Sequence, residues 1–153
     1  MTDIGRLDPI KKHLILLIEN ADPTIHAYPD WRMNIRHIRD FPIATVRIMD
    51  AMITDETYGR KFTSTEEGSM GIYRFSIHIF ASNCKVSGEA KAKYALESAD
   101  KILTYLKQNR RNTTYGIYDI SDLSARESEV ANAPFNISRV IIEGNIWAKR
   151  PDS

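Results

Sequence analysis

Cys84 is the one thiol of the chain, and His78 is the nearest imidazole to it. A catalytic thiol needs a base within hydrogen-bond reach and a third group to orient that base. No such third residue is evident. His78 falls on the polar side of a strand pattern, where an imidazole is ordinarily solvated, and Cys84 reads as an inert thiol. The four histidines, His13, His26, His37 and His78, share no helical or strand spacing that would bring two to one metal. Asp119, Asp122, Glu127 and Glu129 are close in sequence and of the right type for a hard cation. They lack the Asp-x-Asp-x-Asp-Gly pattern of a calcium loop, and an acidic stretch also serves solubility. Neither Gly68-Ser69-Met70-Gly71 nor Ser87-Gly88 has the spacing of a phosphate-binding loop, and no Gly-x-Ser-x-Gly elbow occurs. The expectation is a protein without catalytic, cofactor or metal residues, and so not an enzyme.

Arg32, Arg36 and Arg39 with His37 form a basic cluster beside Tyr28 and Trp31. Cations interleaved with aromatics suit phosphate contact and base stacking. Asp30 and Asp40 lie in the same stretch, and the whole chain balances 21 Lys and Arg against 20 Asp and Glu, a net charge of +1. A solvated face or an inter-subunit ion-pair surface is the preferred reading of Arg32 and Arg36.

The 153 residues, 42% hydrophobic and 27% charged, have an ordinary globular composition. A chain of this length buries roughly 70% of its unfolded surface, which supports one domain over residues 1–153. One cysteine excludes an internal disulfide. No apolar run approaches the roughly 18 residues of a membrane span, and residues 1–8 lack a signal-peptide layout. These features predict an intracellular protein with no membrane partner.

Asp8 and Pro9 start a helix over residues 8–20, with Ile10, Leu14, Leu17, Ile18 and Ala21 on one face. Ile15 and Leu16 widen that face, either for burial or for docking on another subunit. Asp22-Pro23 closes the helix. Residues 28–39 fit a helix or a strand equally, and the flanking Pro29 and Pro42 favour a short strand or irregular crossing. A β-branched run follows Pro42, and residues 71–81 alternate clearly, with Gly71, Tyr73, Phe75, Ile77 and Ile79 on one face. Between them, residues 55–69 read as a long hairpin arm, paired near 58–63, in which Arg60, Lys61 and Phe62 are candidate contact residues. A second helix is expected over residues 87–109, its stripe made of Ala92, Ala95, Leu96, Ala99, Ile102, Leu103 and Leu106. A short strand at 116–120, a polar connection over 121–133, and a strand at 135–148 follow. That last strand is apolar on both faces, as a strand inside a sheet is. Residues 149–153 read as a flexible tail. The fold class is α+β: a mostly antiparallel, mixed sheet with two helices packed on one face.

Phe41-Pro42-Ile43-Ala44-Thr45-Val46, Gly71-Ile72-Tyr73-Arg74-Phe75-Ser76-Ile77-His78-Ile79-Phe80, Gly116-Ile117-Tyr118-Asp119-Ile120 and Ile137-Ser138-Arg139-Val140-Ile141-Ile142-Glu143-Gly144 occur in that order around the alanine-rich helix. In order, length and texture the chain resembles phage tail terminator (tail completion) proteins over residues 7–149. The resemblance implies a virion assembly protein whose copies form a ring, usually of six. That ring caps the last ring of tail tube protein, stops tube polymerisation and offers a surface to the head-side connector. It implies a place at the neck-proximal end of the tail, with assembly in the host cytoplasm and DNA meeting the protein only by passage through the lumen. A head–tail connector, or a small cellular protein- or RNA-binding module, is the alternative. Ring contacts are expected at Ile15 and Leu16 and at Trp147, because head-to-tail closure needs two different patches.

Overall fold

The structure, a computed structural model, describes residues 7–29, 43–54, 60–61, 67–81, 88–111, 117–129 and 138–151. Helix α1 (Leu7–Ala21) carries Asp8 in its first turn, where a carboxylate complements the helix dipole and also bridges Lys12 at 2.9 Å. Ile10, Leu14, Leu17 and Ile18 are buried, as their spacing predicts. Helix α2 (Gly88–Gln108) buries Ala95, Ala99, Ile102 and Leu106. Leu96, expected in that stripe, is instead 41% exposed. One residue is about 100° of helical turn, so next to a buried Ala95 it points away from the core.

The strands are β1 (His26–Tyr28), β2 (Ile43–Thr54), β3 (Arg60–Lys61), β4 (Glu67–Ala81), β5 (Ile117–Glu129) and β6 (Ser138–Pro151). They form one sheet in the order β1-β2-β4-β6-β5, with β3 paired to the start of β4. Every pairing is antiparallel except β1 with β2. Helix α1 packs on β1 and β2, and α2 on β4, β5 and β6, the two helices touching each other. One core results, joining both helices to Ala44 and Val46, to Tyr73, Phe75, Ile77 and Ile79, and to Val140, Ile142, Ile146 and Ala148. The α+β class and the one-sided helical layer are as the sequence predicts, and β6 lies inside the sheet.

The boundaries differ in four places. A short β1 forms at residues 26–28, which the sequence does not signal. Gly68 and Ser69, expected in the arm, already pair with Pro151 and Arg150 as part of β4. Arg60 and Lys61 pair with Gly68 and Glu67, while residues 55–59 and 62–66 of the expected arm lie outside the described residues. Lys149, Arg150 and Pro151, expected in a tail, belong to β6. The largest difference is β5: residues 121–129, expected in a polar connection, continue the strand. As the last strand of the sheet, β5 pairs only with β6, so its polar residues remain solvated and hide the alternation.

Two irregularities bend β5. One extra residue, Tyr118, sits between the pairs Ile117–Ala148 and Asp119–Trp147. A second bulge opposes Asp122 and Leu123 to Gly144 alone, and Asp122 takes φ 55°, the left-handed region where Asp is among the tolerated residues. Asn145 Nδ2 donates to Asp122 Oδ2 at 2.9 Å and steadies the turn. The bulge brings Leu123 over Gly144, and Phe75 leans on the same glycine from β4. A methyl added to Gly144 would sit 2.9 Å from Leu123 Cδ2 and from Phe75 Cζ. Gly144→Ala is therefore expected to destabilise the protein by about 1–3 kcal/mol in urea unfolding, through overpacking of a closed site.

Asp22 joins the exit of α1 to α2. It is 2% exposed and accepts from the Thr24 amide (3.1 Å), the Thr24 hydroxyl (2.6 Å) and the Ser98 hydroxyl (2.8 Å). Burial by itself pushes its carboxyl up, but the bonds from Thr24 and Ser98 and the charge of Lys101 outweigh that, leaving it below the ordinary value. A depressed carboxylate stabilises the fold above the unfolded pKa, and the contribution is lost as pH falls through the folded one. The stability gap between wild type and Asp22→Asn should be constant from about pH 7 to 5 and should shrink below about pH 4. Urea titrations across that range measure it.

Candidate functional site

The sheet face away from the helices is built by the alternate residues of β2, β4, β6 and β5. Cross-strand partners share a face, so the register sets out its rows. Ile43 lies opposite Phe80, Thr45 opposite His78 and His78 opposite Ile141. At this end Thr45, Ser76, Phe80 and Ile141 are buried, and the His78 ring stacks near Phe80 with centroids 6.4 Å apart.

The other end is exposed. A register shift between Ile48 and Asp50 makes Met49 an extra residue and brings Asp50 onto this face, opposite Arg74, with which it forms an ion pair at 3.7 Å. Arg74 lies opposite Asn145, and Asn145 holds Asp122. Arg126 bridges Glu143 at 3.3 Å. Beyond these charges runs an apolar row, Met52 opposite Ile72 and Ile72 opposite Trp147. Met52 is 58% exposed, Ile72 and Trp147 are half-buried, and Trp147 Nε1 donates to Ser121 Oγ at 2.9 Å. An amphipathic ring with its N–H satisfied inside the protein offers its apolar body outward, as interface tryptophans do.

The expected contact residues are not brought to one place. Ile15 is half-buried against the core, and Leu16 beside it is 54% exposed on the helical layer. Trp147 stands on the opposite layer, on the sheet face. Arg60 and Lys61 are in β3, at the start of β4. Arg32, Arg36 and Phe62 lie outside the described residues, as does Cys84. The sequence reading missed Met52 and the bulge at Met49, because an apolar residue in a strand pattern is read as buried until pairing shows which strands are edges.

Two of the four acidic residues weighed as cation ligands, Asp119 and Asp122, have protein partners. Asp119 takes Arg110 Nε at 3.0 Å and Nη2 at 3.2 Å, and Asp122 takes Asn145. Among the described residues no group of three or more His, Cys, Asp or Glu is placed to hold a metal ion. His13 is buried on α1, and burial lowers its pKa, so it stays neutral at pH 7. A groove of about 330 Å³ between the end of α1 and α2 is lined by Ala21, Asp100, Lys101, Thr104, Tyr105 and Gln108, with no nucleophile–base pair among them. Among the described residues no helix is long and apolar enough to cross a membrane. No protein-family model matches the chain, and no curated protein matches it significantly.

This surface presents paired charges beside an apolar row. Its charges are paired and exposed, and exposed pairs contribute little to folding. Arg74→Ala and Arg126→Ala should each leave urea stability within about 1 kcal/mol of wild type, which makes both usable as probes of partner contact.

Proposed function

We propose that this protein is a structural virion assembly protein, a ring subunit that caps a phage tail tube, stops its polymerisation and presents a surface to the head-side connector. One observation carries the reading: the fold exposes two dissimilar apolar patches on opposite layers. Leu16 is exposed on the helical layer, and Ile72 and Trp147 lie side by side on the sheet face. Head-to-tail contacts between unlike patches close into rings, whereas a single patch gives pairs. The element order supports the resemblance as well: helix, long antiparallel pairing of β2 with β4, alanine-bearing helix, and two closing strands. In this reading the ring contacts itself, the tube protein and the connector, is usually sixfold, and meets DNA only through its lumen. It carries no catalytic or cofactor role. A head–tail connector is a ring subunit of the same kind and uses the same two patches.

Light scattering over a concentration series, with negative-stain images of the most concentrated sample, tests the ring. A discrete oligomer with an annular outline is expected. Leu16→Glu should reduce its mass severalfold with an unchanged circular dichroism spectrum, because it places a charge in one of the two patches. Absence of annuli at every concentration, alone and with tail tubes, would sink the proposal.

A further inference from the structure

The two long margins of the sheet are guarded differently. Strand β5 carries two bulges and a left-handed residue, and Arg110 Nε donates to the Ile120 carbonyl at 3.1 Å, so a side chain already occupies a backbone acceptor there. Bulges and charged side chains on a margin are the ordinary means of preventing strand addition. Strand β2 differs. Its outer side pairs with β1 only at Ile43, Ala44 and Thr45. From Val46 to Thr54 no described strand pairs with that side, and Arg47, Met49, Asp50, Ala51 and Met52 are all exposed. The bulge at Met49 is followed by five consecutive regular pairs with β4, from Asp50–Arg74 to Thr54–Met70. A regular segment of this kind, unpaired on its outer side by any described strand, is a template for another strand.

We infer that this margin of β2, centred on Met52, pairs antiparallel with the same margin of a second copy of the chain. The row Trp147–Ile72–Met52 ends at a methionine that is 58% exposed. Pairing about Met52 sets it opposite its own copy and makes one unbroken apolar row, Trp147–Ile72–Met52 followed by Met52–Ile72–Trp147 of the second copy. Charge is compatible with the same centre and disfavours one at Asp50. Pairing about Asp50 would oppose two carboxylates, which is unfavourable between strands, whereas pairing about Met52 sets Asp50 opposite Thr54. The margin of β5 is the poorer template: bulges and Arg110 interrupt it as far as Leu123, and the regular stretch beyond, Ser124 to Glu129, carries the charged residues Arg126, Glu127 and Glu129. The twofold contact is self-complementary and separate from ring closure, so it joins either two single chains or two rings back to back.

Cys84 is first replaced by alanine, which removes the natural thiol. In that background Met52→Cys places two thiols across the twofold axis at a spacing a disulfide can bridge, while Leu16→Cys supplies an exposed control on the helical layer. Under mild oxidation the Met52→Cys chains are expected to cross-link to twice the 17.5 kDa chain mass at least roughly tenfold faster than the control. Met52→Lys, with an unchanged circular dichroism spectrum, is expected to halve the solution mass, whether the starting species is a pair or a double ring. Equal cross-linking rates of the two cysteine variants, or a mass unmoved by Met52→Lys, would overturn the inference. A ring that survives Met52→Lys at half its mass supports this edge and leaves the ring standing. A pair unaffected by Leu16→Glu supports the edge and counts against the ring alone.

Discussion

The pairing of β4 on both sides is the interaction on which the rest of the structure depends. Along almost all of its 15 residues β4 is hydrogen-bonded to β6, and along most of them also to β2. With both neighbours in register, its side-chain period of two is locked. Tyr73, Phe75, Ile77 and Ile79 must all face the helices, and Arg74, Ser76 and His78 must all face away. A slip of one residue would turn four buried apolar side chains to the other face, at about 1.5–3 kcal/mol each. The inner row then dictates where α1 and α2 lie, since both helices share one core with it.

Helices on one side leave the sheet with two unlike surfaces. Among the described residues the helical layer exposes Leu16 and Leu96, the sheet face is buried near Phe80, and the half bearing Arg74 and Trp147 is exposed or half-buried. This division separates stability from recognition. The inner layer and the Asp22 clasp hold the fold, and the exposed charges and the Met52 row can vary at small cost.

Wherever one face is apolar and the other polar, the sequence was easy to read. Strand β4, the inner faces of both helices and the interior position of β6 all follow from periodicity. Leu96 misled because a helix stripe fixes a direction, and a leucine at its border is as apolar as one at its centre. Strand β5 was hidden because a margin strand in water needs no alternation, and its two bulges change phase at Tyr118 and Asp122. Nothing local marks β1, which exists because Ile43, Ala44 and Thr45 offer it a ladder. Of the proposed contact residues, Leu16 was legible as widening a helix face beyond one stripe, and Trp147 as an aromatic near the end of the last strand. Met52 was not, since its exposure depends on how short a stretch of β2 is paired with β1. The turn of Arg110 toward Asp119 was equally illegible, for its place after α2 suggests a role at the helix end.

The order of the strands also bears on how the chain comes to be folded as it is made. Strand β5 pairs with β6 alone, and β6 follows it in the chain. During synthesis from the N-terminus, β5 therefore emerges with no partner, and β4 waits with one side open while α2 and β5 are added. The sheet closes only when β6 has paired with both, and its pairing with β4 spans the whole of α2 and β5 in the chain. Such distant pairings make folding slow, and they leave a nascent chain exposing two strand margins until its final insertion. Completion of the sheet is thus a late event, and a chain cut before β6 would lack the strand that joins β5 to the rest.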